Sequence, residues 1–540
     1  MLGLMQSDSI NLISILVHAG RWHGDREVVT NTVEGGIHRQ TYADTLSRAT
    51  KLASRLSDFG ITQGDRVGTL GWNTHRHLES WYAISGQGAI CHTVNPRLFP
   101  DQIEFIVNHA EDRVLFVDLS FVDLVAGLLP RMPSVEAVVI MTDRSHMPDK
   151  AGWSVPVHCY EEFLGEGGDQ FDWPVLDDNA GSSLCYTSGT TGDPKGVLYS
   201  HRGNLLHAYA SCSADVFDVS SNDTILMVVP MFHANSWGLA YAGPMTGAKL
   251  VLPGPHMDGA SIHKLISEES VSKAAAVPTI WNLLIAYLRE TGAELESLKE
   301  VVIGGAAVPR SMIEEFDSKY GVDVIHAWGM TEMTPIGTVN RRKPFMDGQS
   351  DEKNFDVRCK QGRVPFGVDM KIVDDQGNEL PHDGETFGKL LVKGPWTIAR
   401  YYRADESALV GDWFDTGDVA TIDSHGYMQI TDRSKDVIKS GGEWISSVEL
   451  ENAAMGMPNV EIAACIGATH PKWDERPILL VKTVSEQPPS ADDIVEYLAA
   501  SFAKWQLPDA VIFVDEIPLT ATGKIDKKPL RAEFQDYLIR

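Results

Sequence analysis

Thr187-Ser188-Gly189-Thr190-Thr191-Gly192-Asp193-Pro194-Lys195-Gly196 follows an apolar stretch that ends at Tyr186. Hydroxyls and glycines at this density let a backbone close on phosphate oxygens, with amides and hydroxyls donating to them. Lys195 adds a point charge. The Walker A spacing of glycine, lysine and serine or threonine is missing, so this is a different kind of phosphate loop. On composition alone, a plain surface loop is the alternative.

Working outward, β-branched runs alternate with helical patterns from about residue 180 onward. Thr224 to Val229 reads as a strand, as do Lys249 to Leu252, Ala274 to Val277, Val301 to Ile303 and Val322 to Ala327. Between two of these, Ile280, Leu283, Leu284, Tyr287 and Leu288 recur at helical spacing and predict one apolar face. Such alternation predicts parallel or mixed sheets covered by helices, an α/β fold. From Asp432 to Ser440 the chain turns charged and then glycine-rich, which reads as a hinge. The expected organisation is a large domain over residues 1–432 and a small α/β lid over 433–540.

A chain of 540 residues exceeds one compact core. Its 43% apolar and 22% charged content is ordinary for a globular protein. A formal charge of -28 argues against nucleic acid, whose phosphates need a basic surface. Anionic ligands would then need local basic or amide-lined islands. The six cysteines have no zinc or CxxC spacing, as expected of thiols in a reducing cytoplasm. No basic signal-peptide region opens the chain, and no apolar run approaches the roughly 20 residues of a spanning helix. A soluble protein is expected.

Further strings follow the phosphate loop in order. They are Pro230-Met231-Phe232-His233, Gly304-Gly305-Ala306-Ala307, Trp328-Gly329-Met330-Thr331-Glu332, Thr416-Gly417-Asp418, Asp432-Arg433 and Gly523-Lys524. Their identity and order resemble the adenylate-forming (AMP-binding) superfamily over nearly the whole chain. Within it, Ile438 to Ser447 and Phe502 to Pro508 look like the bacterial fatty acyl-CoA synthetase and 3-methylmercaptopropionate-CoA ligase subgroup. The resemblance implies two αβ subdomains plus a distorted β-barrel in the large domain, and a mobile C-terminal lid.

It also implies roles. The loop Thr187, Ser188, Gly189, Thr190, Thr191, Gly192 and Lys195 would hold the ATP phosphates. Gly304, Gly305, Ala306 and Ala307 would enclose adenine with Trp328, Gly329, Met330 and Thr331; small residues after a strand leave room there for a flat group. For the glycines alone, tight helix–sheet packing is the alternative. Thr187 and Glu332 would hold Mg2+, a hard cation that takes carboxylate oxygen. Asp418 would accept from the ribose hydroxyls, with Arg433 beside it; a structural ion pair is the other reading of those two.

Lys524 would bridge the substrate carboxylate and the α-phosphate, offsetting the repulsion of two anions. Its acetylation would remove that charge. Lys435 is the implied hinge. After lid rotation Lys439, Gly441, Gly442, Glu443 and Trp444 would line the coenzyme A thiol channel, although two glycines also suit a plain turn. His233, Trp237, Gly238 and Pro335 would line the acyl pocket, with Trp237 either a fixed floor or a swinging gate.

The expected reaction is ATP-dependent acyl-CoA ligation in the cytoplasm by a homodimer. A short or medium acid is favoured, 3-(methylthio)propionate being the best single expectation and a long-chain fatty acid the second. Rival readings are a luciferase-like oxygenase, an adenylation module feeding a carrier protein, and a non-enzymatic acyl sensor. No carrier domain follows in this sequence, and a sensor should have lost Lys524 or Glu332, both of which are present.

Overall fold

The computed structural model describes the chain except residues 1–3, 7, 150–151, 188–192, 434–435, 441–442, 485–487, 521–524 and 540, and it describes only the backbone of 443 and 444. The expected residues Ser188, Gly189, Thr190, Thr191, Gly192, Lys435, Gly441, Gly442 and Lys524 therefore lie outside the described residues, as do the side chains of Glu443 and Trp444.

The apolar runs form an eight-stranded sheet. Four of its strands, Thr224–Met227, Lys273–Ala276, Glu300–Ile303 and Asp323–Gly329, lie side by side and are parallel throughout. Their carboxyl ends therefore emerge at one edge, where sheets of this kind bind ligands. Lys249–Leu252 and Glu27–Asn31 continue the parallel run on the other side. The first expected strand is shorter than its apolar pattern: it stops at Met227, beyond which Asn73 Nδ2 donates to the carbonyls of Met227 (2.6 Å) and Val229 (2.8 Å).

The helix between two of these strands spans Pro278–Thr291, with proline at its first turn. Its buried face differs from the expected one. Trp281, Leu284, Ile285 and Leu288 are buried, whereas Leu283 is 50% exposed. Spacings of three, four and seven residues from Trp281 put a single stripe under the helix, and that stripe passes Leu283 by.

A seven-stranded sheet packs against the first. Its strand Gly181–Tyr186 runs parallel to Ile90–Thr93 and pairs antiparallel with Gly196–Ser200 as a hairpin, and the phosphate-loop sequence lies in the chain between these two strands. Helix His75–Gly86 is buried along its whole length and touches strands of both sheets. The two sheets share one apolar core, which includes Trp81, Tyr82, Tyr241 and Trp237. A third, five-stranded antiparallel sheet stands as the β-barrel element and ends with Trp413–Ile422 and Met428–Arg433.

The small C-terminal domain has its own five-stranded sheet, from Ile438–Ser440 to Ala510–Phe513. Helices Ser447–Met455, Ala491–Ala499 and Lys527–Phe534 cover it, and among the described residues its two apolar clusters include none from the large domain. Among the described residues no helix is long and apolar enough to cross a membrane. All six cysteines are free thiols.

Candidate active site

The parallel edge supplies most of the site. Glu300–Ile303 delivers Gly304 and Gly305, and both must be glycine. A Cβ on Gly304 would lie 2.7 Å from the Ala327 carbonyl oxygen and 3.2 Å from Trp237 Cη2, and Gly305 has φ +80°. Ala306 is exposed and Ala307 half-buried at the open side of this loop. The next strand ends at Gly329, where a Cβ would meet the Pro335 carbonyl oxygen at 2.1 Å. The Met330 amide donates to that same oxygen (3.0 Å), so Gly329, Met330 and Pro335 form one closed turn.

Thr331 and Glu332 follow, each only 8% exposed. The Tyr199 hydroxyl holds the Thr331 carbonyl at 2.6 Å, and the Ile398 amide donates to the Glu332 carbonyl at 2.9 Å. The Glu332 carboxylate accepts from the Tyr401 hydroxyl at 2.8 Å, and no cation pairs with it among the described residues. Burial, and then the Glu332 charge, push the Tyr401 phenol well up, so it stays a donor. Lys195 Nζ lies 4.9 Å from the Tyr401 ring centroid. Thr187 and Lys195 close the base of the hairpin: the Thr187 amide donates to the Lys195 carbonyl (2.9 Å), and the Lys195 amide to Thr187 Oγ1 (3.1 Å). The fold thus links Glu332, Tyr401, Lys195 and Thr187 into one cluster.

A second cluster forms from the barrel element. Asp418 and Arg433 are cross-strand partners in register, and Arg433 Nε lies 2.7 Å from Asp418 Oδ1. Asp418 Oδ2 accepts from Trp328 Nε1 at 3.0 Å. The indole is in turn confined over Gly337, where a Cβ would approach Trp328 Cζ3 to 2.2 Å. Both Asp418 oxygens are thus engaged.

Three of the residues expected at the acyl end, His233, Trp237 and Gly238, lie in or beside an unusual turn. After Pro230, His233 is half-buried, and Ala234, Asn235, Ser236 and Trp237 have φ from +43° to +52°, with Gly238 at +78°. A left-handed conformation costs an L-residue roughly 1–2 kcal/mol. Side chains offset this: Asn235 Nδ2 donates to Asn204 Oδ1 (2.8 Å) and Ser236 Oγ to the Val229 carbonyl (2.8 Å). Trp237 is buried, with its ring edge against Gly304 and Gly305. Gly238 has no space for a Cβ, which would fall 2.5 Å from His207 Nδ1. His207 Nε2 accepts from the Ile336 amide (3.2 Å), and burial lowers its pKa to about 3, so the imidazole is neutral with its proton on Nδ1.

In the C-terminal domain Lys439 is exposed on its strand, its amide donating to Glu475 Oε2 at 3.0 Å. Its charge adds to that of Lys389 in holding Asp375 below the usual carboxylate range. The Lys524 segment is flanked by an anchor. Lys527, 9% exposed, pairs with Glu451 at 2.7 Å and donates to Ser447 Oγ. Asp432 Oδ2, from the last strand of the large domain, accepts from the Ser447 amide at 2.7 Å. Burial alone would lower the Lys527 pKa, but Glu451 and Asp432 outweigh it and raise it.

Sequence reading passed over Tyr199, Tyr401, His207, Asn73 and Asn204. It also passed over Arg97, whose guanidinium lies 5.8 Å from the ring centroids of both Trp72 and Phe232 and has no ion-pair partner among the described residues. The adjacent tyrosines at 401 and 402 were a visible signal. Tyr199, His207 and Asn73 act through contacts more than a hundred residues away in sequence, and Asn204 through a buried network that only the fold assembles.

Parallel strands that converge on a buried carboxylate, beside a hydroxyl-rich hairpin and a small second domain, define an adenylate-forming type of architecture. The chain matches the AMP-binding enzyme family over residues 16–402 and the AMP-binding enzyme C-terminal domain over 449–524, and it belongs to that family. It is 49% identical to a 3-methylmercaptopropionyl-CoA ligase of Ruegeria lacuscaerulensis over 100% of both chains. It is 48% identical to a medium-chain-fatty-acid–CoA ligase of Ectopseudomonas oleovorans over 100% of this chain and 99% of that one. Among solved structures, the anthranilate CoA ligase AuaEII in complex with anthranoyl-AMP superposes with a TM-score of 0.85 at 26% identity, covering 97% of each chain.

Proposed function

We propose that this enzyme joins a compact carboxylic acid, with 3-(methylthio)propionate the leading candidate, to coenzyme A at the expense of ATP. The observation that carries the site assignment is Glu332: a buried carboxylate at the carboxyl edge of a parallel sheet, bound to one phenol and to no cation among the described residues. A carboxylate desolvated without a positive partner is costly, so this position suits a hard cation. Thr187 and Glu332 are the residues that would hold Mg2+, which when bound neutralises phosphate charge.

In the first half-reaction the substrate carboxylate oxygen bonds to the α-phosphorus of ATP and pyrophosphate leaves. The hairpin amides and Lys195 cradle phosphate, Trp328 and the Gly304–Ala307 loop flank adenine, and Asp418 with Arg433 receives the ribose. Lys524 sits between the two anions and stabilises the charge that develops as pyrophosphate departs. In the second, the thiol sulfur of coenzyme A bonds to the acyl carbon and AMP leaves with the bonding electrons. The thiol proton passes to solvent or to AMP.

The boundary between domains at 432/433, a pivot at Lys435 and a thiol channel lined by Lys439, Gly441, Gly442, Glu443 and Trp444 belong to the same reading. Arg97, beside Trp72 and Phe232 and without an ion-pair partner among the described residues, offers a cation to the phosphates of coenzyme A. His233, Trp237, Gly238 and Pro335 form the acyl end, with Trp237 as a fixed floor. The indole's close approach to Gly304 and its buried turn support that assignment. A homodimer and a cytoplasmic setting complete the proposal; equilibrium sedimentation and fractionation test them.

The deciding experiment is pyrophosphate release over a ladder of acids, with and without coenzyme A. Release that needs an acid, together with acyl-CoA formed in equal amount, supports the reading. Oxygen uptake without coenzyme A consumption would overturn it. A preference for long chains would replace the floor by a gate.

A further inference from the structure

We infer that the buried amide pair Asn204–Asn235 is a positioning device that fixes the Trp237 indole and so sets the length of acid the enzyme accepts. The inference rests on the reading of Trp237 as a wall of the acyl pocket.

Four consecutive non-glycine residues, Ala234 to Trp237, are left-handed. Such a run persists only where its surroundings over-determine it. Asn235 is the one residue among the four whose type tolerates this region readily. Its side chain is fully buried, and its Nδ2 donates to Asn204 Oδ1 at 2.8 Å and to Ser183 Oγ at 3.3 Å. Asn204 is also fully buried, and its Nδ2 donates to Ser182 Oγ at 3.0 Å and Ser183 Oγ at 3.1 Å.

A satisfied polar network in a dry interior is rigid, because losing any member strands the others without partners. The network therefore pins the turn at Asn235, two residues before Trp237. The indole is left with its Cη2 3.2 Å from where a Gly304 Cβ would be. Ser182 and Ser183 lie on Gly181–Tyr186, the strand that leads straight into Thr187. One strand thus carries the phosphate hairpin at its end and the fastening of the acyl wall in its middle. Breaking the amide pair releases the turn, lets the indole leave Gly304 and Gly305, and deepens the pocket.

The test uses the full-length enzyme labelled with 5-fluorotryptophan, the Trp237 fluorine resonance being assigned by its loss in Trp237→Phe. Asn235→Gly keeps the positive φ accessible while removing the amide. Asn204→Leu keeps the side-chain volume and removes both the acceptor for Asn235 and the donors to Ser182 and Ser183, giving a second variant. In each, the Trp237 resonance is expected to shift or broaden. The ratio of kcat/KM for octanoate over propionate is expected to rise about tenfold, the order gained when one or two methylenes find a buried site. The kcat on propionate should be retained.

An unchanged Trp237 resonance in both variants overturns the positioning role. A moved resonance with an unchanged length profile, while Trp237→Ala does alter that profile, overturns the link to chain length. An unchanged profile in Trp237→Ala overturns the wall reading itself, and the specificity half of the inference with it.

Discussion

Asp418 and Arg433 face each other in register across two antiparallel strands, with Arg433 Nε 2.7 Å from Asp418 Oδ1 and the Trp328 indole N–H 3.0 Å from the other carboxylate oxygen. One carboxylate therefore orients an arginine at the end of the large domain and an aromatic plane at the sheet edge. Asp418→Ala should remove ribose acceptors and loosen both neighbours. A hydrogen bond to a charged group contributes about 1.5–3 kcal/mol, so the KM for ATP should rise about 10- to 100-fold. Isotope exchange between pyrophosphate and ATP measures this, and an unchanged KM would leave the pair a purely structural one.

Lys524 should divide the half-reactions. Lys524→Ala is expected to lower adenylate formation by about 10²-fold or more, the usual effect of removing one transition-state donor. Thioester formation from supplied acyl-AMP should survive, because the two anions no longer need to be brought together. Equal loss in both steps of a folded variant would refute the assignment.

Trp237→Ala opens volume at the acyl end. Each methylene gains about 0.8 kcal/mol on burial, so two extra carbons should improve kcat/KM for octanoate over propionate about tenfold. Were Trp237 a gate, the substitution would chiefly raise adenylate hydrolysis, seen as AMP released without acyl-CoA.

His207 gives the protein an acid-side sensitivity. Its folded pKa is depressed to about 3 by burial, whereas an unfolded histidine binds a proton below about 6.5. In that window the unfolded chain holds more protons, so stability falls as pH falls. The loss amounts to about 2 kcal/mol between pH 6.5 and 5. His207→Asn lacks it, so its stability deficit against wild type should narrow as pH drops through that range. Parallel denaturation curves at each pH would contradict this.

Lys527 fastens the flank of the Lys524 segment to Glu451 and Ser447. Lys527→Met keeps the stem but leaves Glu451 and the nearby Asp432 without their cation. Breaking a buried pair this way costs about 3–5 kcal/mol. Thermal unfolding followed by limited proteolysis should show the C-terminal domain lost first, before the large domain.

What the sequence determined by itself was local. The strands Lys249–Leu252 and Glu300–Ile303 were legible because buried parallel strands are written as short apolar runs. The strings from Thr187 to Glu332 stood out because their order matches a family's, and Asp418 and Arg433 because a carboxylate and a guanidinium suit a pair, which the fold forms. Tertiary structure decided what depends on register and packing. It set Asp418 opposite Arg433, turned Trp281 rather than Leu283 into the core, and placed Tyr401 on Glu332 across 69 positions of sequence. It also imposed positive φ on Ala234 to Trp237, which no local preference would choose, because the acceptors that offset the strain arrive from the Asn204 side-chain amide and the Val229 carbonyl. Side-chain type states what a residue can do. Only the folded distances state to whom it does it.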